Sequence, residues 1–419
     1  MQQLPIIMWK QPWGYIEGWA ICAGIVATGI ILQFSSGKIE PESFRFPVNL
    51  IAGVVFLSCL LLFHLISKKI KPLQWFSGLT AGITALASLL YLIIIMGLTR
   101  QLPATFDLSQ ESGFLRLGFM QMTVSWSFIL LSFYFLWILG LVVLRRLSHF
   151  KWKDAGFILN HTGLFIVFFA AILGSSDLQR LRMTVPVNEN EWRATNEKNE
   201  TVELPLTIEL KSFTIDEYPP KLMLLDNTTG KTLPEKKTVT VSIEDNTSVI
   251  RLLDWELEIV YYLPFAAVLS NRDTVNCAVY QAEGATSAVY VKARNLTDGA
   301  RRDGWVSCGS YLFPHASLRL NEKESLIMPV REPRRFTSDV AVYQKSGETQ
   351  EALIEVNKPL SVAGWRIYQL SYDTARGKWS SYSVFELVKD PWLPVVYTGI
   401  AMLLAGAVFL FFSAPKKSE

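Results

Sequence analysis

No Cys-x-x-Cys pair and no Cys-x-x-Cys-His occurs in this sequence, which excludes a thioredoxin-type dithiol centre and covalent c-type haem on the chain itself. The phosphate-cradling Gly-x-x-x-x-Gly-Lys-Ser/Thr, the Gly-x-Ser-x-Gly elbow and the His-Glu-x-x-His zinc helix are missing too. The common nucleotide, acyl-transfer and zinc-hydrolase sites therefore have no signature here. Charge is also scarce: 18% of the 419 residues are charged, and the net charge of +3 is too small to argue for nucleic acid. Histidine and cysteine occur only four times each.

Apolar residues fill the gap. Half the chain is hydrophobic and the mean hydropathy is +0.26, which indicates a membrane protein. About 20 apolar residues cross the hydrocarbon core as a helix, and six stretches are long enough: about 16–35, 47–67, 74–98, 124–144, 157–175 and 392–413. A helix is expected in each, because in lipid it satisfies its own backbone hydrogen bonds. Lys10 precedes the first span; Lys68, Lys69 and Lys71 follow the second, Arg145, Arg146, Lys151 and Lys153 the fourth, and Lys416 and Lys417 the sixth. By the positive-inside bias these mark the cytoplasmic side, so both termini are expected inside and 177–390 outside. The first run has no small-residue cleavage site and reads as a retained anchor.

The segment 177–390 differs in character. It is charged, broken by Pro and Asn, and carries short alternating runs: VELPLTIELKSFTI, KTVTVSIED, WELEIVYYL, SAVYVKA, SDVAVYQ, EALIEVN and GWRIYQLSY. Period-two alternation predicts strands, and more than two hundred residues can bury a core without staples. The expected fold class is a polytopic α-helical membrane protein of about six helices, with a large β-rich extracytoplasmic domain, a sandwich or open barrel, inserted before the last helix. The expected domains are 1–176 (five spans), 177–390 (β-rich) and 391–419 (last span and tail). Cys22 and Cys59 lie within spans and read as small packing residues. Cys277 and Cys308 lie outside, where an oxidising compartment permits a disulfide, and spacing alone does not decide whether they pair.

The histidines are the remaining chemical candidates. His64, in LLLFHLISKK, lies one turn before Lys68; His161, in FILNHTGLFIV, lies about two turns after Lys153. At about 1.5 Å rise per residue, both imidazoles fall in the inner leaflet at similar depth. Either can be an axial ligand for haem iron, or a polar contact at the interface. His149 sits in a basic loop and His315 in the outer segment, where both read as ordinary surface residues. The spans carry almost no ionisable residue beyond Glu17, near a membrane face, and show no internal helix repeat, which gives a coupled transporter little support.

The stretch 333–373, PRRFTSDVAVYQKSGETQEALIEVNKPLSVAGWRIYQLSYD, followed by VKDPWLPVVYTGIAMLLAGAVFLFF at 388–412, resembles the end of the ResB/CcsB family of cytochrome c biogenesis proteins. The resemblance rests on the turn with Asn357 and Pro359, on the strand carrying Gly364, Tyr368 and Gln369, and on Asp390-Pro391 before the last helix. The helix NHTGLFIVFFAAILGSSD at 160–177 is similar to the one that precedes the family's outer domain. Each motif also has a plain physical reading: Pro359 fixes a turn, Pro391 opens a helix, and Tyr368 and Gln369 complete a β core.

The resemblance implies a subunit of the system II cytochrome c synthase. With a CcsA-type partner it would carry haem across the bacterial inner membrane, with the large domain on the outer side, for attachment to apocytochrome c. His161 matches the family's transmembrane histidine and is the implied axial ligand of a transient haem b; His64 is the second candidate. No residue reads as catalytic. The family partner's tryptophan-rich haem segment is absent, so the chain is expected not to complete haem ligation alone. Further partners implied are thiol-disulfide reductases and membrane lipid, with no nucleic acid. The alternative is a membrane-anchored scaffold that docks apocytochrome or a reductase without touching haem.

Overall fold

The computed structural model describes residues 9, 11–106, 117–243, 249–270 and 274–413. Lys10, Lys416 and Lys417, used in the orientation argument, lie outside these described residues, as does the end of the KTVTVSIED run. The chain divides into two compact units, one of residues 1–179 with 389–419 and one of 180–388.

The first unit holds α1 (Tyr15–Ser36), α2 (Val48–Ser67), the single turn α3 (Lys71–Gln74), α4 (Leu79–Leu98), α5 (Trp126–Leu147), α6 (Ala155–Gly174) and α7 (Leu393–Ser413). All but α3 are long and apolar enough to cross a membrane, and the protein is a multi-pass membrane protein. The span expected at 74–98 starts only at Leu79. Gly78 is extended at φ −90°, ψ 166°, which ends the turn Trp75–Ser77 before the helix begins. At the other end of the range, α5 continues through Arg145 and Arg146 to Leu147, and starts at Ser125, whose side chain accepts the Phe128 amide.

Burial is uneven: 56% of the α5 span is buried inside the chain against 11% of α7, which makes α5 the centre of the bundle. Helix α1 approaches it closely, because a Cβ on Gly29 would lie 2.4 Å from Ser127 Cα. Helices α6 and α7 meet backbone to backbone: a Cβ on Gly163 would lie 2.6 Å from the Gly399 carbonyl oxygen, and one on Gly406 2.6 Å from the Asn160 nitrogen. Apolar side chains gain little from one another in lipid, so this close van der Waals approach of small residues joins the two helices.

At the end of the bundle where α2 and α7 begin, Asp177 makes a clamp. One carboxylate oxygen accepts the Phe46 amide at 2.8 Å, and the other accepts Asn49 Nδ2 at 2.6 Å and Trp392 Nε1 at 2.7 Å. Asn49 is fully buried and also donates to the Leu173 carbonyl at 2.9 Å.

The second unit is all β. Its larger sheet has eight strands, in the order Thr349–Glu355, Pro333–Gln344, Thr201–Glu217, Asn190–Thr195, Gln179–Pro186, Tyr382–Lys389, Trp365–Tyr372 and Leu360–Val362. The two edge strands are consecutive in sequence and meet through the turn between them, where Glu355 bridges Lys358. The sheet thus curls into an open barrel around one core that includes Met183, Ile208, Val340, Ile354, Ile367 and Phe385. Its first and last strands are neighbours.

A second core, with Leu224, Leu257, Val289, Val306 and Leu326, lies under two five-stranded sheets. The long strand Trp255–Ser270 pairs with Thr286–Asn295 and Val249–Leu252 in one, and Lys221–Asp226 with Glu324–Ile327 and Thr232–Leu233 in the other. Of the predicted strand at 237–245, only Val241–Ser242 is strand among the described residues, pairing briefly with Lys221–Asp226. Cys277 and Cys308 are not bridged; both are free thiols.

Candidate functional site

His161 occupies the second turn of α6. Its Nδ1 lies 2.9 Å from the Phe157 carbonyl oxygen, one turn back. A carbonyl only accepts, so Nδ1 carries the proton and Nε2 carries the lone pair. No described residue partners that Nε2. The ring is half-buried and stacked on Phe157 at 3.7 Å between centroids, and the Arg146 guanidinium lies 5.1 Å from the Phe157 ring. Arg146 is itself held 3.5 Å from Asp154.

The side of α6 that presents His161 follows from helical spacing. His161, Phe165 and Phe168 recur at i, i+4 and i+7 on one stripe. Phe165 packs where α5 has Gly140, and Phe168 meets Phe135 of α5 at 5.3 Å. The glycines that meet α7 lie on the opposite side of the helix. His161 therefore belongs to the stripe facing the bundle centre, next to Thr162, whose hydroxyl is buried without a partner among the described residues.

His64 is at the same level. Helices α2 and α6 touch where Gly53 meets Leu173 and Phe56 meets Phe169, and the same interval of sequence along each leads from that second pair to His64 and His161. Its bonding differs. His64 is buried, and its Nε2 lies 2.9 Å from Ser148 Oγ, whose one proton goes to the Leu144 carbonyl at 2.9 Å. Nε2 must then be the donor, and the ring nitrogen farther from the backbone is already used. No hydrogen bond or ring contact joins the two histidines. His149 and His315 are exposed.

Among the described residues no group of three or more His, Cys, Asp or Glu side chains could hold a metal ion. Haem makes a smaller demand on a protein, because the porphyrin supplies the equatorial ligands and the chain needs only an axial one. His161 fits that demand: a ligating imidazole ordinarily donates its other N–H to a carbonyl or carboxylate.

The outer-domain motif residues have structural roles. Asn357 has φ +65° in the turn that joins the barrel's edge strands. Ala363 and Gly364, at φ +48° and +78°, form the two-residue turn of the hairpin in which Val362 pairs with Trp365, a conformation that favours glycine. Pro359 leads from the first of these turns into the edge strand Leu360–Val362. Gln369 points into the core, where its Oε1 accepts Ser338 Oγ at 2.5 Å and its Nε2 donates to the Ser371 carbonyl at 2.8 Å; Ser338 also meets Ser383 at 2.9 Å. Tyr368, one residue before, is half-buried.

A model of the ResB-like family matches residues 268–381. That segment, about a quarter of the chain, is similar to the ResB-like family. The match lies wholly in the β unit, so the flanking stretches 160–177 and 388–412, with His161, fall outside it. Among solved structures, the chain is similar to one titled "Cytochrome c Heme Lyase CcmF", with 10% identity over 87% of this chain and a TM-score of 0.23. It spans about 45% of that protein's length, and a likeness this slight carries no weight for fold or mechanism. No curated protein matches the chain.

Ser148, Ser338, Ser383 and the Asp177 clamp were not visible in the sequence reading, because each gains its role from a partner far along the chain. The α6–α7 contact did leave a signal: Gly156 and Gly163 on one helix and Gly399 and Gly406 on the other repeat at seven-residue spacing, the pattern of a close helix pair.

Proposed function

We propose that this chain acts in cytochrome c biogenesis, the role that the match to the ResB-like family suggests, and that it does so as the membrane subunit that, with a CcsA-type partner, delivers haem across the membrane and presents it for attachment to apocytochrome c. The observation that carries the finer reading is the bonding of His161, with Nδ1–H held by the Phe157 carbonyl and an unpartnered Nε2 half-buried toward the bundle centre. Haem, when present, supplies an iron whose axial position an imidazole can fill. The Phe157 carbonyl keeps the His161 ring in one tautomer and orientation, and the stacked Phe157 ring presents an apolar face beside it. His64 would take the lesser role of tying α2 to the end of α5 through Ser148. On this reading the protein resides in the bacterial inner membrane with its β domain outside.

The test is co-purification of the full chain with a CcsA-type partner, reading the Soret band. His161→Ala should leave insertion and partner binding intact and lower bound haem about tenfold or more, and added imidazole should restore part of it. Full haem content in His161→Ala would overturn the ligand assignment. A second reading, in which the outer domain docks apocytochrome or a thiol reductase without haem contact, is favoured by the position of the family match, entirely within that domain. A cavity of about 520 Å³ there, lined by Phe213, Ile215, Phe265, Lys378 and Trp379, offers a docking surface. Unaltered haem in His161→Ala, together with loss of apocytochrome binding in Trp379→Ala, would support it.

A further inference from the structure

Beside the Asp177 clamp lies a cavity of about 430 Å³, within the range of small-molecule sites. All of its lining falls within residues 1–179 and 389–419, the first compact unit. It sits where α2 and α7 begin and α6 ends, the depth at which apolar spans give way to lipid headgroups. Its walls carry both signs of charge and an apolar side. Asp177 supplies the negative charge. Burial pushes its carboxyl upward, but hydrogen bonds from the Phe46 amide, Asn49 and Trp392 and the nearby charge of Arg45 hold it below the usual carboxylate value. Three bonds leave one of the roughly four acceptor positions of a carboxylate open.

Arg45 supplies a positive charge. Its ion pair with Glu42 is loose at 3.9 Å, with both side chains half-exposed, so it contributes little by itself. Lys389 lines the same cavity. Phe46 and Leu50, 69% and 48% exposed, form the apolar side toward the hydrocarbon. A simple anion would meet Asp177, and a simple cation would meet Arg45; a headgroup carrying both charges meets neither penalty.

We propose that this cavity binds the phosphoethanolamine headgroup of a membrane phospholipid, with its ammonium on Asp177 and its phosphate on the side of Arg45 and Lys389. The acyl chains then run along Phe46 and Leu50.

The test uses the full chain in detergent micelles doped with phosphatidylethanolamine, phosphatidylcholine or phosphatidylglycerol, with retained lipid counted by native mass spectrometry. Phosphatidylethanolamine should be retained about tenfold better than phosphatidylcholine, whose methylated amine has no proton to donate, and Arg45→Gln should lower its retention by a similar factor. Lys153→Gln, a charge loss at the opposite end of the bundle, should change nothing. Equal retention of the ethanolamine and choline lipids, or of phosphatidylglycerol and phosphatidylethanolamine, would overturn the proposal. So would an equal loss in Lys153→Gln, or no loss in Arg45→Gln.

Discussion

The bundle and the β unit differ in how completely they pair their buried polar side chains. In the β unit they close on one another: Gln369, Ser338 and Ser383 share one buried network, Trp255 donates to Glu324 at 3.0 Å, and Thr286 donates to the Gly309 carbonyl at 2.7 Å. In the bundle buried polar side chains are more numerous and many are bonded, as in the Asp177 clamp, yet buried polar atoms without a hydrogen-bond partner among the described residues also belong there: Trp75 Nε1, Tyr134 Oη and Thr162 Oγ1. An unpartnered buried polar group costs about 1–3 kcal/mol, and His161 adds a lone pair that no described residue uses. On the proposed function, the bundle is the region that handles haem. Ligand chemistry should therefore respond to changes in the bundle, and stability to changes in the β unit.

The largest effect should come from His161. In cells, His161→Ala is expected to reduce holocytochrome yield on the order of tenfold without moving the unfolding of the β unit, and His64→Ala to show a much smaller defect; equal defects would erase the distinction drawn from Ser148. Next is the α6–α7 contact. Gly163→Leu must push its side chain into the Gly399 backbone, and since overpacking ordinarily costs about 1–3 kcal/mol even against side chains, folded protein recovered in mild detergent should fall several-fold. Unchanged recovery would show that the two helices are not held by that approach.

In the β unit, Gln369→Leu removes the acceptor of Ser338 and should cost about 1–3 kcal/mol, read as a drop of several degrees in the unfolding temperature, with haem content unaltered. A haem defect with normal stability would break the division between the two regions. The smallest effect is at Cys277, whose thiol is pushed up to about 11 by burial. Alkylation there should be slow at neutral pH and rise with pH toward that value. Because the folded chain holds this proton more tightly than the unfolded one, the associated stabilisation is complete below the ordinary thiol value of 9.0 and disappears as pH passes about 11. Fast alkylation at pH 7 would show that the site opens.

Much of the architecture could be read one residue type at a time. The spans stand out because lipid demands long apolar runs, and some ends differ from expectation where capping decides, as at Gly78 and Ser125. The strand at Trp365–Tyr372 was legible as a strand, but not its buried side: Tyr368 and Gln369 were both expected in the core, whereas Trp365, Ile367 and Gln369 are buried and Tyr368, on the other face, is half-buried, because the strand period is two. The level of His64 and His161 followed from helix rise alone.

Composition and periodicity thus determined a membrane protein of six spans with a β-rich insertion and two histidines at one depth, since these depend on local repeats of hydrophobicity. Tertiary structure decided that Ser148 takes the Nε2 of one histidine while the other keeps its lone pair, that Asn49, Asp177 and Trp392 form one clamp, and that the edge strands meet around Asn357 in an open barrel. Each of those depends on groups up to 215 residues apart, and a hydrogen bond between them depends on where the packed backbone places two atoms, which no local pattern encodes.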